Sequence, residues 1–189
     1  SVSTDDGIEC YESTNTTPEA PEVWRHIANC RESGRQSMVM EVSSQALKYQ
    51  RVENLPFDVA CFLNIGRDHI SPIEHPTFED YFESKLRIFD QAKTAVVNLG
   101  TEEVDRVLEA ASTAERLVTV GVEHPEASLW ASDVRVVGFN IEFNLHGLCA
   151  DESEAGEKVL LGIAGDFNVE NALVAIAAAH EIGIGIEAI

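Results

Sequence analysis

Short apolar runs alternate with segments of helical period along this chain. Residues 8–11 form a first candidate strand, and Ser13-Thr14-Asn15-Thr16-Thr17 is a polar turn. Pro18 suits the first turn of a helix, where its missing N–H costs nothing; Val23, Ile27 and Cys30 then share one face up to a stop at Gly34. Residues 37–42 read as a buried strand and 44–50 as a short helix. A second apolar run, 58–65, has strand propensity and leads into a polar loop over 66–76. Thr77 opens a helix with Asp80 three residues on, striped by Phe78, Phe82, Leu86 and Phe89. Residues 94–98 and 116–120 are strands separated by a helix over 102–111. The stretch 129–163 holds several strand-like runs and no helix, which predicts antiparallel pairing, and an Ala-rich helix over 169–182 stops at Gly183.

Strands alternating with helices predict an α/β fold, a mostly parallel sheet flanked by helices with an antiparallel region near 129–163. The 189 residues are expected to form a single domain. A chain of this size hides about 70% of its unfolded surface. No run of about 18 apolar residues occurs, and residues 1–6 have neither the basic nor the apolar part of a secretory signal.

Charge narrows the function. Lys and Arg number 13 against 33 Asp and Glu, a net charge of −20. Such a surface repels phosphate backbones and anionic lipid, so neither nucleic acid nor membrane is an expected partner. An anionic substrate then needs a local cationic pocket or a metal ion. Cys10, Cys30, Cys61 and Cys149 form no C-x-x-C pair. Cys30 and Cys61 read as small buried hydrophobes, and reduced thiols fit a cytoplasmic protein.

Ligands of parallel sheets gather beyond the carboxyl ends of the strands. Three polar clusters are expected at such places: Glu41-Val42-Ser43-Ser44-Gln45, Asn64-Ile65-Gly66-Arg67-Asp68-His69, and the Thr16-Thr17-Pro18 turn. A carboxylate and an imidazole on neighbouring strand ends can share a hard divalent cation. Taken alone, Glu41 reads equally as a helix cap or ion-pair partner, and His69 as a loop residue.

Seven blocks in order carry a resemblance. They are Thr16-Thr17-Pro18-Glu19; Met40-Glu41-Val42-Ser43-Ser44-x-Ala46-Leu47; Arg51-Val52; Phe57-Asp58-Val59-Ala60; Asn64-Ile65-x-Arg67-Asp68-His69; Tyr81-x-x-x-Lys85-x-x-x-Phe89; and Gly165-x-Phe167-Asn168-x-x-Asn171-Ala172. Together they resemble the central, ATP-binding domain of the Mur ligases, nearest the UDP-N-acetylmuramoyl-tripeptide synthetase branch. The resemblance implies a ligase of peptidoglycan precursor synthesis that joins an amino acid to a UDP-muramoyl peptide. ATP phosphorylates a carboxylate, and the incoming amine displaces phosphate from the acyl phosphate.

The same resemblance implies roles. Glu41 and His69 would be magnesium-site residues, and Lys85 the family's carbamylated lysine, a third member of that site. Carbamylation replaces a repelling ammonium by a carboxylate-like anion and needs the neutral amine; the alternative for Lys85 is a helical surface lysine. Thr16, Thr17, Ser43 and Arg51 would contact the UDP-muramoyl peptide, hydroxyls and a forked cation suiting its oxygens; Ser43 and Ser44 read otherwise as caps of the following helix. Asn168 and Asn171 would contact adenine, since an amide offers donor and acceptor together; a cap and a solvent-facing amide are the other readings.

The chain departs from the family in places. Its lysines are Lys48, Lys85, Lys93 and Lys158, and none follows a glycine, so the phosphate loop G-x-x-x-x-G-K-[ST] does not occur. The expectation is a fragment of the central domain, lacking the N-terminal phosphate-loop segment and the C-terminal domain. Ile70-Ser71-Pro72-Ile73-Glu74-His75-Pro76 stands where relatives carry a shorter Leu-Asp-x-His-Gly segment, Gln45 replaces a common histidine, and Tyr49 stands where some carry a glutamine. Two alternatives therefore stay open: a folylpolyglutamate- or cyanophycin-type ligase, and a non-catalytic binding domain. A phosphate loop about 30 to 45 residues before Thr16 would exclude the latter.

Overall fold

The structure, a computed structural model, describes residues 2–67, 70–72, 74–147, 156–185 and 188–189. The chain divides into two compact units, Ser1–Leu55 with Arg67–Ile88, and Pro56–Gly66 with Phe89–Ile189.

The first unit opens with a hairpin of β1 (Val2–Asp5) and β2 (Cys10–Ser13), Asp5 opposite Cys10. The strand expected over 8–11 thus lies two residues later. Asp6 shapes the turn by accepting the Ile8 and Glu9 backbone N–H groups at 2.9 and 2.7 Å. Helix α1 (Ala20–Glu32) carries Pro21, not Pro18, in its first turn. Its buried face is Val23 and His26, while Ile27 and Cys30 are half-buried. Gly34 takes a left-handed φ of 77°, and the Arg35 N–H closes on the Cys30 carbonyl at 2.9 Å, ending the helix.

Residues 37–42 form no strand. Val39 is 95% exposed and Met38 half so, because no described segment offers this apolar run a hydrogen-bonding neighbour, and a strand without a ladder is only extended chain. Helix α2 (Ser44–Lys48) follows, capped by Ser43, which accepts the Ala46 N–H at 3.2 Å. Helix α3 (Phe78–Leu86) is capped by Thr77, which accepts the Asp80 N–H at 3.1 Å. The two helices pack together, with Ala46, Leu47, Tyr81 and Phe82 buried. Burying a ring such as that of Phe82 contributes about 2–3 kcal/mol.

The second unit is a six-stranded sheet in chain order: β3 (Phe57–Phe62), β4 (Ala92–Asn98), β5 (Arg116–Val122), β6 (Leu129–Val137), β7 (Asn140–His146) and β8 (Glu157–Leu161). The pairs from β3 to β6 are parallel and those from β6 to β8 antiparallel, as the sequence leads one to expect. Burial explains the two patterns. Ala95, Val96 and Val97 of β4 are all fully buried, so the strand is covered on both faces. In β7 only Ile141, Phe143 and Leu145 are buried among half-buried polar neighbours, apart from terminal His146.

Helix α4 (Val104–Ala111) makes the crossover from β4 to β5, and α5 (Phe167–Glu181) lays Val169, Leu173, Val174 and Ala177 on the sheet core of Val96, Val118, Val120, Ile141 and Phe143. Gly183, with φ of 86°, ends α5. Cys61 is half-buried, and burial pushes its thiol up to about 11.

Candidate functional site

In the first unit the chain folds Thr17, Glu41, Ser43 and Arg51 onto one another. Thr17 is fully buried at the polar turn before α1. Its hydroxyl donates to the Glu41 carbonyl at 2.9 Å and accepts the Ser43 N–H at 2.9 Å. The Ser43 hydroxyl lies 3.4 Å from that of Thr17. Arg51 donates through Nη1 to the Thr17 carbonyl at 3.3 Å and pairs through Nη2 with Glu19 at 2.9 Å, leaving a buried Nε–H with no hydrogen-bond partner among the described residues. Thr16, next to Thr17, is half-buried. One backbone crossing thus gathers hydroxyls and a guanidinium, donors suited to carboxylate or phosphate oxygens.

Glu41 itself is exposed and sits in irregular chain rather than at a strand tip, and its carboxylate has no hydrogen bond or ion pair among the described residues. His69 lies outside the described residues. Lys85, in the last turn of α3, is half-buried with Nζ 3.5 Å from the Tyr81 hydroxyl and 5.4 Å from the centre of that ring. Arg67 rests over the Phe78 ring at 4.7 Å.

A second network in this unit carries no short-range sequence signal. His75, fully buried, places Nδ1 2.6 Å from Asp80 Oδ2 and Nε2 2.9 Å from the Ser44 hydroxyl. Lys48 donates to the same Asp80 oxygen at 2.6 Å and to the Glu74 carbonyl at 3.1 Å. The hydrogen bond from Lys48, and then that from His75, hold the Asp80 carboxyl below its ordinary range. The Thr77-x-x-Asp80 cap is readable in sequence; the meeting of His75 with Ser44, 31 residues earlier, is not.

Asn168 and Asn171 belong to the second unit, in the first turns of α5. The Asn168 amide donates to the Ala164 carbonyl at 2.7 Å and accepts from Asn171 at 3.3 Å. Gly165 stands before them with φ of 103°, and a Cβ there would sit 2.8 Å from the Phe167 ring. Phe167, with Val122, Val134, Val136, Asp166 and Glu170, lines an open groove of about 510 Å³. Buried Asn98, at the carboxyl end of β4, donates to the Leu63 carbonyl at 3.0 Å and to Glu170 at 3.1 Å, and accepts the Gly100 N–H at 3.1 Å. It fastens the ends of two strands to α5, and sequence reading misses it because a strand-terminal Asn has no distinguishing spacing.

Residues 2–179 match the family model of the Mur ligase middle domain. The chain is 40% identical over 190 residues to a UDP-N-acetylmuramyl-tripeptide synthetase of Bifidobacterium longum (strain NCC 2705), covering 96% of this chain and 35% of that protein. It is 36% identical over 182 residues to a UDP-N-acetylmuramoyl-L-alanyl-D-glutamate–L-lysine ligase of Streptococcus suis (strain 05ZYH33), with the same coverages of 96% and 35%. The structure of a UDP-N-acetylmuramoyl-L-alanyl-D-glutamate–2,6-diaminopimelate ligase superposes with a TM-score of 0.81 at 26% identity, over 92% of this chain and 35% of that one. The chain therefore spans about a third of the length of these relatives.

Proposed function

This chain belongs to the Mur ligase middle-domain family, and from that premise we propose that it is part of an ATP-dependent ligase adding an amino acid to a UDP-N-acetylmuramoyl peptide, a step of peptidoglycan precursor synthesis. The two compact units are then parts of one central domain. The observation that carries the reading is the convergence of Ser43 and Arg51 on Thr17, three residues assigned to the acceptor, with Thr17 bonded to the Glu41 carbonyl. In this reading Arg51 and the hydroxyls of Thr16 and Ser43 bind and orient the anionic acceptor against the chain's own negative charge, while Thr17, fully buried with its proton given to the Glu41 carbonyl, holds their segment in place rather than touching the ligand.

ATP transfers its terminal phosphoryl group to the acceptor carboxylate, releasing ADP. The amine of the incoming amino acid attacks the acyl phosphate, loses a proton and expels inorganic phosphate. Bound Mg²⁺ would neutralise charge on the phosphates during these steps. The exposed carboxylate of Glu41, unpaired among the described residues, fits such a hard cation. Lys85 fits it only as the carbamate, because an ammonium would repel the ion; His69 completes the assigned set. Asn168 and Asn171, beside the exposed Phe167 ring, supply amide edges and an apolar face of the kind adenine needs.

The test is phosphate release by the full-length protein with ATP, UDP-muramoyl peptides and each candidate amino acid. Amino-acid-dependent release with a muramoyl acceptor sustains the reading. Release only with a folate or peptide acceptor, or none with any acceptor, removes it.

A further inference from the structure

Helix α2 has five residues, too few to hold its shape without help from its surroundings. It is fastened at its two ends to the two members of the His75–Asp80 pair. At its start, Ser44 meets His75 Nε2 at 2.9 Å; at its end, Lys48 meets Asp80 at 2.6 Å and the Glu74 carbonyl at 3.1 Å. The loop that carries His75 is closed on itself, with the Ser71 N–H on the His75 carbonyl at 2.9 Å and the Glu74 N–H on the Ser71 hydroxyl at 3.1 Å. His75 has no solvent exposure, and its ring lies 5.2 Å from that of Tyr81.

The proton arrangement is fixed by the acceptor. An ionised Asp80 can only accept, so His75 carries its proton on Nδ1. In the neutral ring Nε2 is then an acceptor, and the Ser44 hydroxyl donates to it. Ser43, the preceding residue, caps the helix and gives its N–H to Thr17. A shift of α2 therefore moves Ser43, and with it the crossing of Thr17, Glu41 and Ser43.

We propose that His75 is a positioning residue of the acceptor-binding segment, acting through Ser44, with Asp80 and Lys48 setting its ring. This inference rests on the ligase reading for what the segment binds. The loop closed between Ser71 and His75 delivers the imidazole, and the clamp gives that loop a task.

The test compares Ser44→Ala, His75→Gln and the double variant in the full-length enzyme, by kcat, by the KM of a UDP-muramoyl peptide and of ATP, and by thermal midpoint. Misplacing a bound substrate weakens its own binding, so each single variant raises the acceptor KM about tenfold and leaves the ATP KM unchanged. The double variant is no worse than the weaker single, because the two residues act in one chain of bonds. Loss of active protein alone would lower kcat and leave both KM values; that result, or a wild-type acceptor KM in Ser44→Ala, overturns the proposal. If the unmodified enzyme ligates no amino acid, the ligase reading fails separately. The clamp is then decided by the midpoints, non-additive losses at Ser44 and His75 sustaining it and additive losses overturning it.

Discussion

The Thr17 hydroxyl donates to the carbonyl of Glu41, 24 residues later, at 2.9 Å. It is also the acceptor for the Ser43 N–H, so one buried hydroxyl fastens the turn before α1 to the segment before α2. Thr17→Val keeps the shape and leaves both backbone groups unpaired, which costs about 1–3 kcal/mol in urea unfolding. Thr17→Ser keeps the hydroxyl and stays within about 1 kcal/mol of the parent.

Glu41 has an exposed carboxylate with no partner among the described residues, so Glu41→Gln leaves the thermal midpoint unchanged. In the full-length enzyme the same change lowers kcat by about 10² or more, since a missing charge at a phosphoryl-transfer site is felt mainly in the transition state. Steady-state assays over a range of magnesium concentrations measure it.

If Lys85 carries the carbamate proposed above, Lys85→Ala is expected to abolish phosphate release by the full-length protein. A ¹³C signal of carbamate carbon, raised by labelled bicarbonate, is expected in the parent and absent from the variant. Restoration of the variant by short carboxylic acids would mark a lost carboxylate rather than a lost amine.

His26 and Asp6 are both about 1% exposed and lie 2.6 Å apart, and Asn29 adds a bond to the same Asp6 oxygen at 2.8 Å. Burial works to raise the Asp6 carboxyl, but hydrogen bonds from Glu9, His26, Asn29 and Ile8 outweigh it and hold the group well below the usual carboxylate range. A depressed folded-state value means its stabilisation is complete above the unfolded value, about 4, and drains away as pH falls toward the folded one. Thermal midpoints between pH 7 and pH 3 therefore fall more steeply in the parent than in Asp6→Asn, which starts lower at pH 7.

The parallel core was legible because β4 and β5 are apolar runs bounded by helical periods, a pattern that survives whatever packs on it. The antiparallel end was legible from the want of a helix between its runs. Residues 37–42 misled because composition reports a wish to be buried, while a strand exists only where a neighbour supplies its ladder. On α1 the apolar stripe gave one part of the buried face and hid His26, a polar residue made tolerable by Asp6, 20 residues before it. The cluster of Thr17, Ser43 and Arg51 was singled out through a resemblance; its hydrogen bonds, and the meeting of His75 with Ser44, depend on how loops close and leave no periodic trace.

Val39 stands 95% exposed, in a run whose backbone is engaged among the described residues only at Glu41. An exposed apolar run is a place where a second molecule can associate. At neutral pH a charge of −20 keeps copies of this chain apart, and that protection vanishes near the isoelectric point of about 4.5. Light scattering should therefore show self-association on acidification toward that point. Val39→Lys should relieve it, making colloidal behaviour a report on a single uncovered valine.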